Sequence, residues 1–294
     1  PDSETDDAMR FGFGANWTDY IEKHFSEERL TIAQHHLLRF LRMPSLAGKS
    51  FLDIGCGCGL HSLSAWRARA RPVFSFVYDA KSVAATRMLR KMAGDPAEWT
   101  VVQGSVLDTA FVQTIPKADI VYSWGVLHHT GEMWNAIANA ASRVHDDSLF
   151  YIALYATEAF TLPTPEEWLA VKRTYNRASL LRKRWMDWQY AWNQSIRDDV
   201  KAWRNPLIYM RAHKKARGMS YWHDIRDWLG GYPMEFAGNR ETERFCRERF
   251  GLSLINIRAG AANTEFLFCR QGKEQNWSGF TDATPLVGVR PPYE

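Results

Sequence analysis

The sequence predicts an α/β fold, in which helices cover both faces of a sheet and a helical insertion interrupts the order of strands. Three observations favour this fold. Between Lys49 and Tyr155, short apolar runs alternate with helical patterns, as in the repeated strand–helix–strand units of a parallel sheet. A glycine-rich turn, Gly55–Gly59, directly follows the first apolar run. The segment Ala156–Ala237 then loses the alternation and keeps only a helical pattern.

The individual elements follow in chain order. A helix is expected over Ala15–Arg42, ahead of the first strand. A second helix, over Asp79–Ala93, carries apolar residues at helical spacing and ends at a Gly-Asp-Pro turn, and a third, over Asn239–Phe250, ends at Gly251. The predicted strands are Ser50–Ile54, Val73–Tyr78, Trp99–Gln103, Asp119–Ser123, Ser148–Tyr155, Leu252–Arg258 and Thr264–Arg270. The last two are close enough in sequence to pair as an antiparallel hairpin.

We expect one elaborated domain, because 294 residues suffice for a sizeable core and a large insertion. Residues 1–48 are predicted to form an N-terminal helical cap, and residues 49–155 the α/β core. Residues 156–237 are predicted to form a basic, tryptophan-rich lid over a substrate. Residues 238–271 complete the core, and residues 272–294 form a tail without periodicity.

Composition excludes several classes of protein. The hydrophobic fraction of 46% and the charged fraction of 24% are ordinary for a globular domain, and no apolar run is long enough to cross a bilayer. The first ten residues lack the pattern of a secretory signal, so a cytoplasmic protein is expected. Four cysteines are too few for a disulfide scaffold, and Cys56-Gly-Cys58 lacks the spacing of a zinc site. Reduced thiols and no metal are therefore expected.

Positive charge is concentrated in the predicted lid. The net charge is only +4, but the stretch from Trp168 to Arg217 carries 13 Lys or Arg against three Asp or Glu. Such a stretch is often a solvated face. It is also compatible with attraction of a phosphorylated or carboxylated small molecule, or of a nucleic acid as the less favoured partner.

The first strand and its turn, Phe51–Leu60, carry the strongest chemical signal. Glycines let the backbone turn tightly and approach a ligand, and the following helix offers free N–H groups at its start. The spacing is GxGxG, with Asp53 ahead of it, which suits a ligand with an amino-acid end and a ribose better than a pyrophosphate. A turn that binds a nucleotide or NAD is the alternative interpretation.

Four motifs occur in order: Asp53-Ile-Gly-Cys-Gly-Cys-Gly59, an acid near the second strand end at Asp79, Gln103-Gly-Ser-Val106, and Ser123-Trp-Gly-Val-Leu-His-His129. In these motifs the chain resembles the class I S-adenosylmethionine (SAM) dependent methyltransferases, particularly small-molecule enzymes such as the ubiquinone-pathway O-methyltransferases. The resemblance implies a Rossmann-like, seven-stranded sheet with helices on both faces, SAM as cofactor and S-adenosylhomocysteine (SAH) as product.

The same resemblance implies roles for individual residues. The methionine part of SAM would lie against the first motif, Ser105 and Val106 would line the adenine, and Trp124 to His128 would close the site from below. The cofactor-binding residues expected are Asp53, Gly55, Cys56, Gly57, Gly59, Asp79, Ser105, Val106, Trp124 and His128.

The position of the ribose-binding acid departs from the family pattern. Counted back from the helix that starts near Ser82, that acid would fall on Val77, and Asp79 follows two residues later. Asp79 is therefore interpreted either as a ribose ligand or as a simple helix N-cap.

The lid carries the candidates for catalysis. His223, with Asp224 beside it, is the favoured general base, and His129 is the competing one. The residues expected to contact substrate are Tyr20, Arg217, Tyr232 and Glu235. The tryptophans of the insertion are expected to form the core of a helical lid, although stacking on a flat substrate is a second interpretation. An ordinary helix with loop ends is the alternative to a substrate wall.

The predicted function is transfer of a methyl group from SAM to a hydroxyl, or to an amine or carboxylate, of a small molecule, and the basic lid is compatible with an anionic one. Two alternatives stay open: an RNA or protein methyltransferase that uses the basic insertion, and a SAM-binding protein without catalysis. The sequence leaves open whether the protein is a monomer or a homodimer.

Overall fold

The structure, a computed structural model, describes residues 25–203, 205, 208, 210, 221–260 and 262–280. Its centre is one seven-stranded sheet with the order β3-β2-β1-β4-β5-β7-β6. The strands are β1 (Phe51–Ile54), β2 (Val73–Val77), β3 (Trp99–Gln103), β4 (Ala118–Trp124), β5 (Val144–Tyr155), β6 (Leu252–Ala259) and β7 (Asn263–Arg270). The strands β1 to β5 pair in parallel, and β7 is antiparallel to β5 and β6. The predicted seven-stranded sheet and C-terminal hairpin are confirmed.

The described helices follow the predicted alternation. They are α1 (Glu27–Leu41), α2 (Leu60–Arg67), α3 (Ala80–Met92), α4 (Thr109–Thr114), α5 (Met133–Ala141), α6 (Pro165–Arg177), α7 (Leu180–Ala191), α8 (Arg197–Lys201), α9 (Tyr221–Gly230) and α10 (Asn239–Phe250). A π-helical turn, Trp192–Ile196, joins α7 to α8. The helix predicted over Ala15–Arg42 is described from Glu27 onward, where Ser26 caps it by accepting from the N–H of Arg29.

Alternate residues of each central strand face two separate apolar clusters, one on each side of the sheet. In β1, Phe51 faces the cluster formed with α1, α2 and α3, whereas Leu52 faces the cluster formed with α5 and α10. In β5, Tyr151 faces the first of these clusters and Ile152 faces the second. Because a strand buried on both faces reads as a continuous apolar run, these strands could be identified from sequence.

The strand order reverses between β1 and β4, since the chain passes from β1 outward to β3 and then returns to β4. Open α/β sheets bind ligands outside the carboxyl ends of their strands at such a switch point. The glycine-rich turn follows β1, and Trp124 and the two adjacent histidines end or follow β4. The predicted cofactor residues therefore share one edge of the sheet.

The insertion after β5 packs as a helical unit with its own apolar cluster. This cluster includes Trp168 and Tyr175 of α6, Ala191 of α7, and Ile225 and Leu229 of α9. A capping box starts α6: Thr164 accepts from the N–H of Glu167, whose carboxylate accepts from the N–H of Thr164. The division of the chain at residues 156 and 237 remains our interpretation.

Only part of the tryptophan set lies in that cluster. Trp168 is 7% exposed, but Trp185, Trp188 and Trp192 are 61%, 58% and 47% exposed, and Trp203 is 97% exposed. The expectation that the tryptophans form the lid core is therefore wrong for these four. For Trp185 and Trp188 the reason is the orientation of α7, which buries Asp187 and Ala191 and turns these two side chains outward.

Two further expectations can be compared with the described residues. All four cysteines are free and buried, as expected. Within the described part of the chain, no helix has the length and apolar character needed to span a membrane. Tyr20, Arg217 and the tail beyond residue 280 lie outside the described residues.

Candidate active site

The turn after β1 requires its glycines. Gly55, Gly57 and Gly59 all have left-handed backbones, with φ of 77°, 55° and 85°. A Cβ on Gly55 would lie 2.3 Å from Cγ1 of Val126, and one on Gly59 would lie 2.7 Å from Cγ2 of Thr86. The Thr86 hydroxyl also donates to the carbonyl of Gly57 (3.0 Å), so α3 holds the turn in place.

The chemistry of this turn fits the methionine part of SAM. Gly59 occupies the N-cap of α2, where no side chain caps the helix, and the backbone N–H of Ser62 in the first turn donates to Asp53. A carboxylate would therefore be held by the backbone N–H groups that precede Ser62. Across the edge, the indole Nε1 of Trp124 is buried and has no partner among the described residues. A donor-lined backbone turn with an orphaned indole N–H beside it fits a polar ligand at this place.

Behind the turn, Asp53 ends a buried chain of hydrogen bonds that sequence analysis missed. The Trp99 indole donates to Ser75 Oγ (2.9 Å), Ser75 donates to Ser62 Oγ (2.8 Å), and Ser62 donates to Asp53 Oδ2 (2.5 Å). Because an indole N–H can only donate and an ionised carboxylate can only accept, the bonds run from Trp99 towards Asp53 when Asp53 is ionised. All four residues are at most 2% exposed.

Burial has the largest influence on the pKa values of the acidic side chain and the thiols in this turn. It raises the pKa of Asp53 to about 7, although the hydrogen bonds from Ser62 act in the opposite direction. Burial also raises the pKa of Cys58 to about 12 and that of Cys56 well above its usual range, so both thiols stay protonated. The side chain of Cys56 lies 3.4 Å from the Thr86 hydroxyl, which leaves its backbone as the part that could contact a cofactor.

Asp79 caps α3. Its Oδ1 accepts from the backbone N–H of Ser82 (2.8 Å). Val77, where the family pattern expects the acid, is paired with Gln103 inside the sheet. The N-cap interpretation is thus supported by a contact, and binding of ribose by Asp79 stays a prediction.

The segment after β3 lies at the same edge. The Ser105 hydroxyl accepts from the N–H of Leu107 (3.2 Å), and the carbonyl of Val106 accepts from the Asn139 side chain (2.8 Å). A Cβ on Gly104 would lie 2.1 Å from the Phe111 ring. These contacts explain the conformation of the segment, and its role at the adenine remains a prediction.

Two adjacent histidines follow β4 in the 3-10 turn Leu127–His129. The Nδ1 of His128 accepts from the backbone N–H of Tyr155 (3.3 Å), so the neutral ring carries its proton on Nε2. That Nε2 is buried without a partner among the described residues. The Nδ1 of His129 lies 2.7 Å from the carbonyl of Pro233, to which it must donate. The two rings therefore have opposite tautomers, and Nε2 is the basic nitrogen of His129.

Burial keeps both histidines neutral. It lowers the pKa of His129 to about 4 and that of His128 well below its usual range. The Lys172 charge lowers both values further. His129 is thus in the form that accepts a proton at neutral pH, although it is a weak base.

The lid returns to the sheet beside these histidines. The Glu235 N–H donates to the carbonyl of His128 (2.8 Å), and Oε2 of Glu235 accepts from the N–H of Met133 at the start of α5 (2.9 Å). Ala156 and Ala237 form a parallel bridge. Glu235 therefore ties the lid to α5, and its contact with a substrate stays a prediction.

The other lid candidates are only partly described. His223 and Asp224 lie in α9, but the side chain of His223, like all of Arg217, is outside the described part of the chain. Tyr232 is buried, and the guanidinium of Arg173 lies 5.9 Å from its ring centroid. Catalysis by His223 with Asp224 therefore stays a prediction.

Solved structures share this fold. The magnesium protoporphyrin IX methyltransferase (ChlM) from Synechocystis PCC 6803, with bound SAH, has a TM-score of 0.54 and 12% identity, and the match covers 92% of this chain and 100% of that one. For PKMT2 from Rickettsia typhi with AdoHcy, the TM-score is 0.55 at 12% identity, covering 82% of this chain and 53% of that one. An O-methyltransferase family protein from Burkholderia thailandensis has a TM-score of 0.52 at 12% identity, and the coverages are 82% and 57%.

This chain thus spans little more than half the length of the last two proteins. At these identities the likeness establishes the fold alone. No curated protein sequence matches the chain. A family model described as a methyltransferase domain matches residues 24–204, which is more than half of the chain and includes the glycine turn, the histidine pair and the start of the lid. The chain therefore belongs to this methyltransferase family and is a class I SAM-dependent methyltransferase.

Proposed function

We propose that the chain transfers the methyl group of SAM to a hydroxyl oxygen of a small, anionic molecule. An amine or a carboxylate is the alternative acceptor group. One observation carries the proposal: the insertion packs on the carboxyl ends of β4 and β5, through Glu235 on His128, Pro233 on His129, and the bridge between Ala156 and Ala237. A sheet edge that the insertion covers in this way suits a molecule small enough to be enclosed.

SAM supplies an electrophilic methyl group. The chain has to hold the acceptor in line with that methyl and receive the proton that a hydroxyl loses, and positioning supplies most of the rate. The donors at the start of α2 and the glycine turn would hold the methionine part. The lid would hold the acceptor and exclude water from it.

Two histidines are candidates for the proton acceptor. His223, with Asp224 beside it on α9, is the favoured one. His129 competes, because Pro233 orients its ring and leaves Nε2 as the basic nitrogen. The pH dependence separates them. A His223 with an ordinary pKa would make the rate rise between roughly pH 6 and 7. With its pKa lowered to about 4, His129 would give a rate already constant above about pH 5.

The test is a panel of hydroxyl, amine and carboxylate acceptors assayed with methyl-labelled SAM. Once an acceptor is found, His223→Ala, Asp224→Ala and Arg217→Ala should each slow transfer by about tenfold or more. Affinity for SAM, measured by calorimetry, should stay near the parental value because the glycine turn lies outside the lid. Arg182→Ala, an exposed change on α7, is the control that should alter neither quantity. Parental rates in all three lid variants would contradict the lid hypothesis.

A macromolecular substrate is the second candidate, and one observation favours it. Trp185, Trp188 and Trp192 line an exposed stripe on and after α7, beside Arg182 and Arg184. Basic side chains interleaved with exposed aromatic rings are typical of surfaces that bind single-stranded nucleic acid. Adding RNA and unmodified protein to the acceptor panel decides the matter. If RNA or protein becomes methyl-labelled, and the double variant Trp185→Ala with Trp188→Ala labels it less, a macromolecular substrate replaces the small-molecule proposal.

A further inference from the structure

Lys172 is a buried lysine of the lid. It lies in α6 between Trp168 and Tyr175 on the helix face that packs into the lid cluster, and it is 1% exposed. Its Nζ donates to the carbonyl of Trp228 and lies 4.6 Å from the centroid of the Trp228 ring. Within the described residues, it makes no salt bridge. A buried ammonium with one carbonyl partner keeps two N–H groups unused, which is costly.

Two more buried donors have no partner among the described residues, one in the lid cluster and one in the turn after β4. The indole Nε1 of Trp228 and the Nε2 of His128 are both buried and make no hydrogen bond with the described residues. The tautomer of His128 makes its Nε2 a donor, because Nδ1 already accepts from Tyr155. The charge of Lys172 acts in the same direction as burial on the pKa of His128 and of His129, so both rings stay neutral.

Flat rings connect these donors. The Tyr155 ring lies 4.0 Å from that of His128 and 6.0 Å from that of Trp228, centroid to centroid. Phe160 stacks on Trp228 at 6.1 Å with an interplanar angle of 11°, and Trp168 meets the same ring edge-on at 4.9 Å. The three donors are thus embedded in aromatic walls at the carboxyl end of β5, where the lid covers the sheet.

We infer that Lys172, Trp228 and His128 form an anion-binding subsite that receives the ionised carboxylate of a flat aromatic substrate, with the neighbouring rings stacking on its body. These groups have N–H bonds that meet no acceptor among the described residues, and a carboxylate offers several acceptor sites together with a charge that complements the ammonium. The inference rests on the proposed small-molecule function and specifies its substrate class. Because these side chains are packed against one another, α6 and α9 have to move away from Tyr155 to admit the ligand.

An anion-binding role of Lys172 can be separated from a purely structural role. Burial lowers the pKa of Lys172 to about 7, so at neutral pH a large fraction of the amine is uncharged, and a bound carboxylate would favour the ammonium. Replacing a buried charge by an apolar side chain of similar length is commonly neutral or stabilising. Lys172→Met should therefore fold, and its effect on an anion is separable from its effect on stability.

The test uses 2-naphthoate and its neutral analogue 2-naphthamide as probes of the full chain saturated with SAH. Binding is followed by calorimetry and by the change in tryptophan fluorescence. We expect the parent to bind 2-naphthoate about tenfold more tightly than 2-naphthamide, as for a charge-assisted hydrogen bond. Lys172→Met should remove this preference, and Trp228→Phe, which keeps the ring but lacks the N–H, should reduce it.

Lys183→Met is the matched control. The Nζ of Lys183 also lies over an aromatic ring of the lid, that of Tyr175 at 5.5 Å, but this lysine is only partly buried. The preference for 2-naphthoate should survive in this variant. Equal binding of the two probes by the parent, or an unchanged preference in Lys172→Met, would overturn the subsite.

Failure of the subsite and failure of the proposed function give different results. If an anionic aromatic molecule is methylated equally by the parent and Lys172→Met, the proposed function stands and the anion subsite is wrong. If the parent prefers 2-naphthoate through Lys172 but methylates only RNA or protein, the subsite stands and the small-molecule function is wrong.

Discussion

The core behind the glycine turn and the lid differ in whether their buried polar groups have hydrogen-bond partners. Behind the glycine turn, Asp53 is satisfied by a chain of donors that ends at Trp99. Under the lid, the donors of Lys172, Trp228 and His128 lack acceptors among the described residues. An unsatisfied buried donor costs about 1–3 kcal/mol, so the lid side has hydrogen-bonding capacity that a ligand could use. We infer from this comparison that the network around Asp53 is complete before a ligand binds, whereas the donors under the lid are completed by the ligand.

The largest effect is expected from Gly57→Val, because Gly57 has a φ of 55° and lies at the centre of the turn. A branched side chain there should abolish SAM binding, measured by calorimetry, by blocking the cofactor and straining the turn. Gly48→Val is the matched control: Gly48 has a φ of 75°, but a Cβ there meets no atom within 4 Å. It should lose stability without losing SAM affinity. Parental SAM affinity in Gly57→Val would refute the assignment of the cofactor site.

The next effect concerns stability against pH and tests whether the Asp53 carboxyl is as buried as its contacts indicate. Its pKa is raised from 3.8 to about 7 in the folded chain, so between these values the folded state holds a proton that the unfolded state has released. The free energy of unfolding should therefore fall as pH rises through this window, by about 4 kcal/mol for this group.

Asp53→Asn keeps an oxygen that can accept from Ser62 but does not ionise. Urea denaturation from pH 4 to 7 should show that the variant lacks this part of the decline, so the difference between parent and variant isolates the group. Above pH 7 the two curves should run parallel. Identical pH dependence in both proteins would mean that the folded-state pKa of Asp53 is close to the unfolded one.

A smaller effect is expected from Asp79→Asn. Asparagine is as good an N-cap as aspartate, so the variant should keep the bond to the N–H of Ser82 and the stability of α3. If Asp79 also binds the ribose hydroxyls, loss of the charge should weaken SAM binding by about 1.5–3 kcal/mol. Unchanged affinity would leave Asp79 as a helix cap only, and unchanged stability is the internal control for that conclusion.

The core could be predicted because its signals are local. The strands β1 and β4 and the second half of β5 are apolar runs buried on both faces, and the turn Gly55–Gly59 needs a left-handed backbone that only glycine adopts easily. The sequence did not predict the start of β5, which begins at Val144 rather than Ser148. Val144 pairs with Ala118, Ser148 donates to the carbonyl of the same residue, and the register of the strand pair shifts between these contacts and Leu149.

The lid could be recognised as helical, but its two faces could not be assigned. Tryptophans recur along α6, α7 and α9 alike, yet Trp168 is buried and Trp188 is 58% exposed. The position of Lys172 on the apolar stripe between Trp168 and Tyr175 is the one local signal that a buried cation would have offered. Which face of an insertion turns inward depends on its partners, and these come from α9 and β5, far away in the chain.

The sequence by itself determined the apolar runs that form the strands, the glycine turn and the membership of a SAM-dependent methyltransferase family. Spacing and residue type specify these features within a few residues. Only the tertiary structure decided how buried polar groups are satisfied. The bonds from Trp99 to Asp53 link four separate segments, and the tautomers of His128 and His129 depend on Tyr155 and Pro233. Such contacts join residues that no local pattern relates, and they set which atoms are left to meet a ligand.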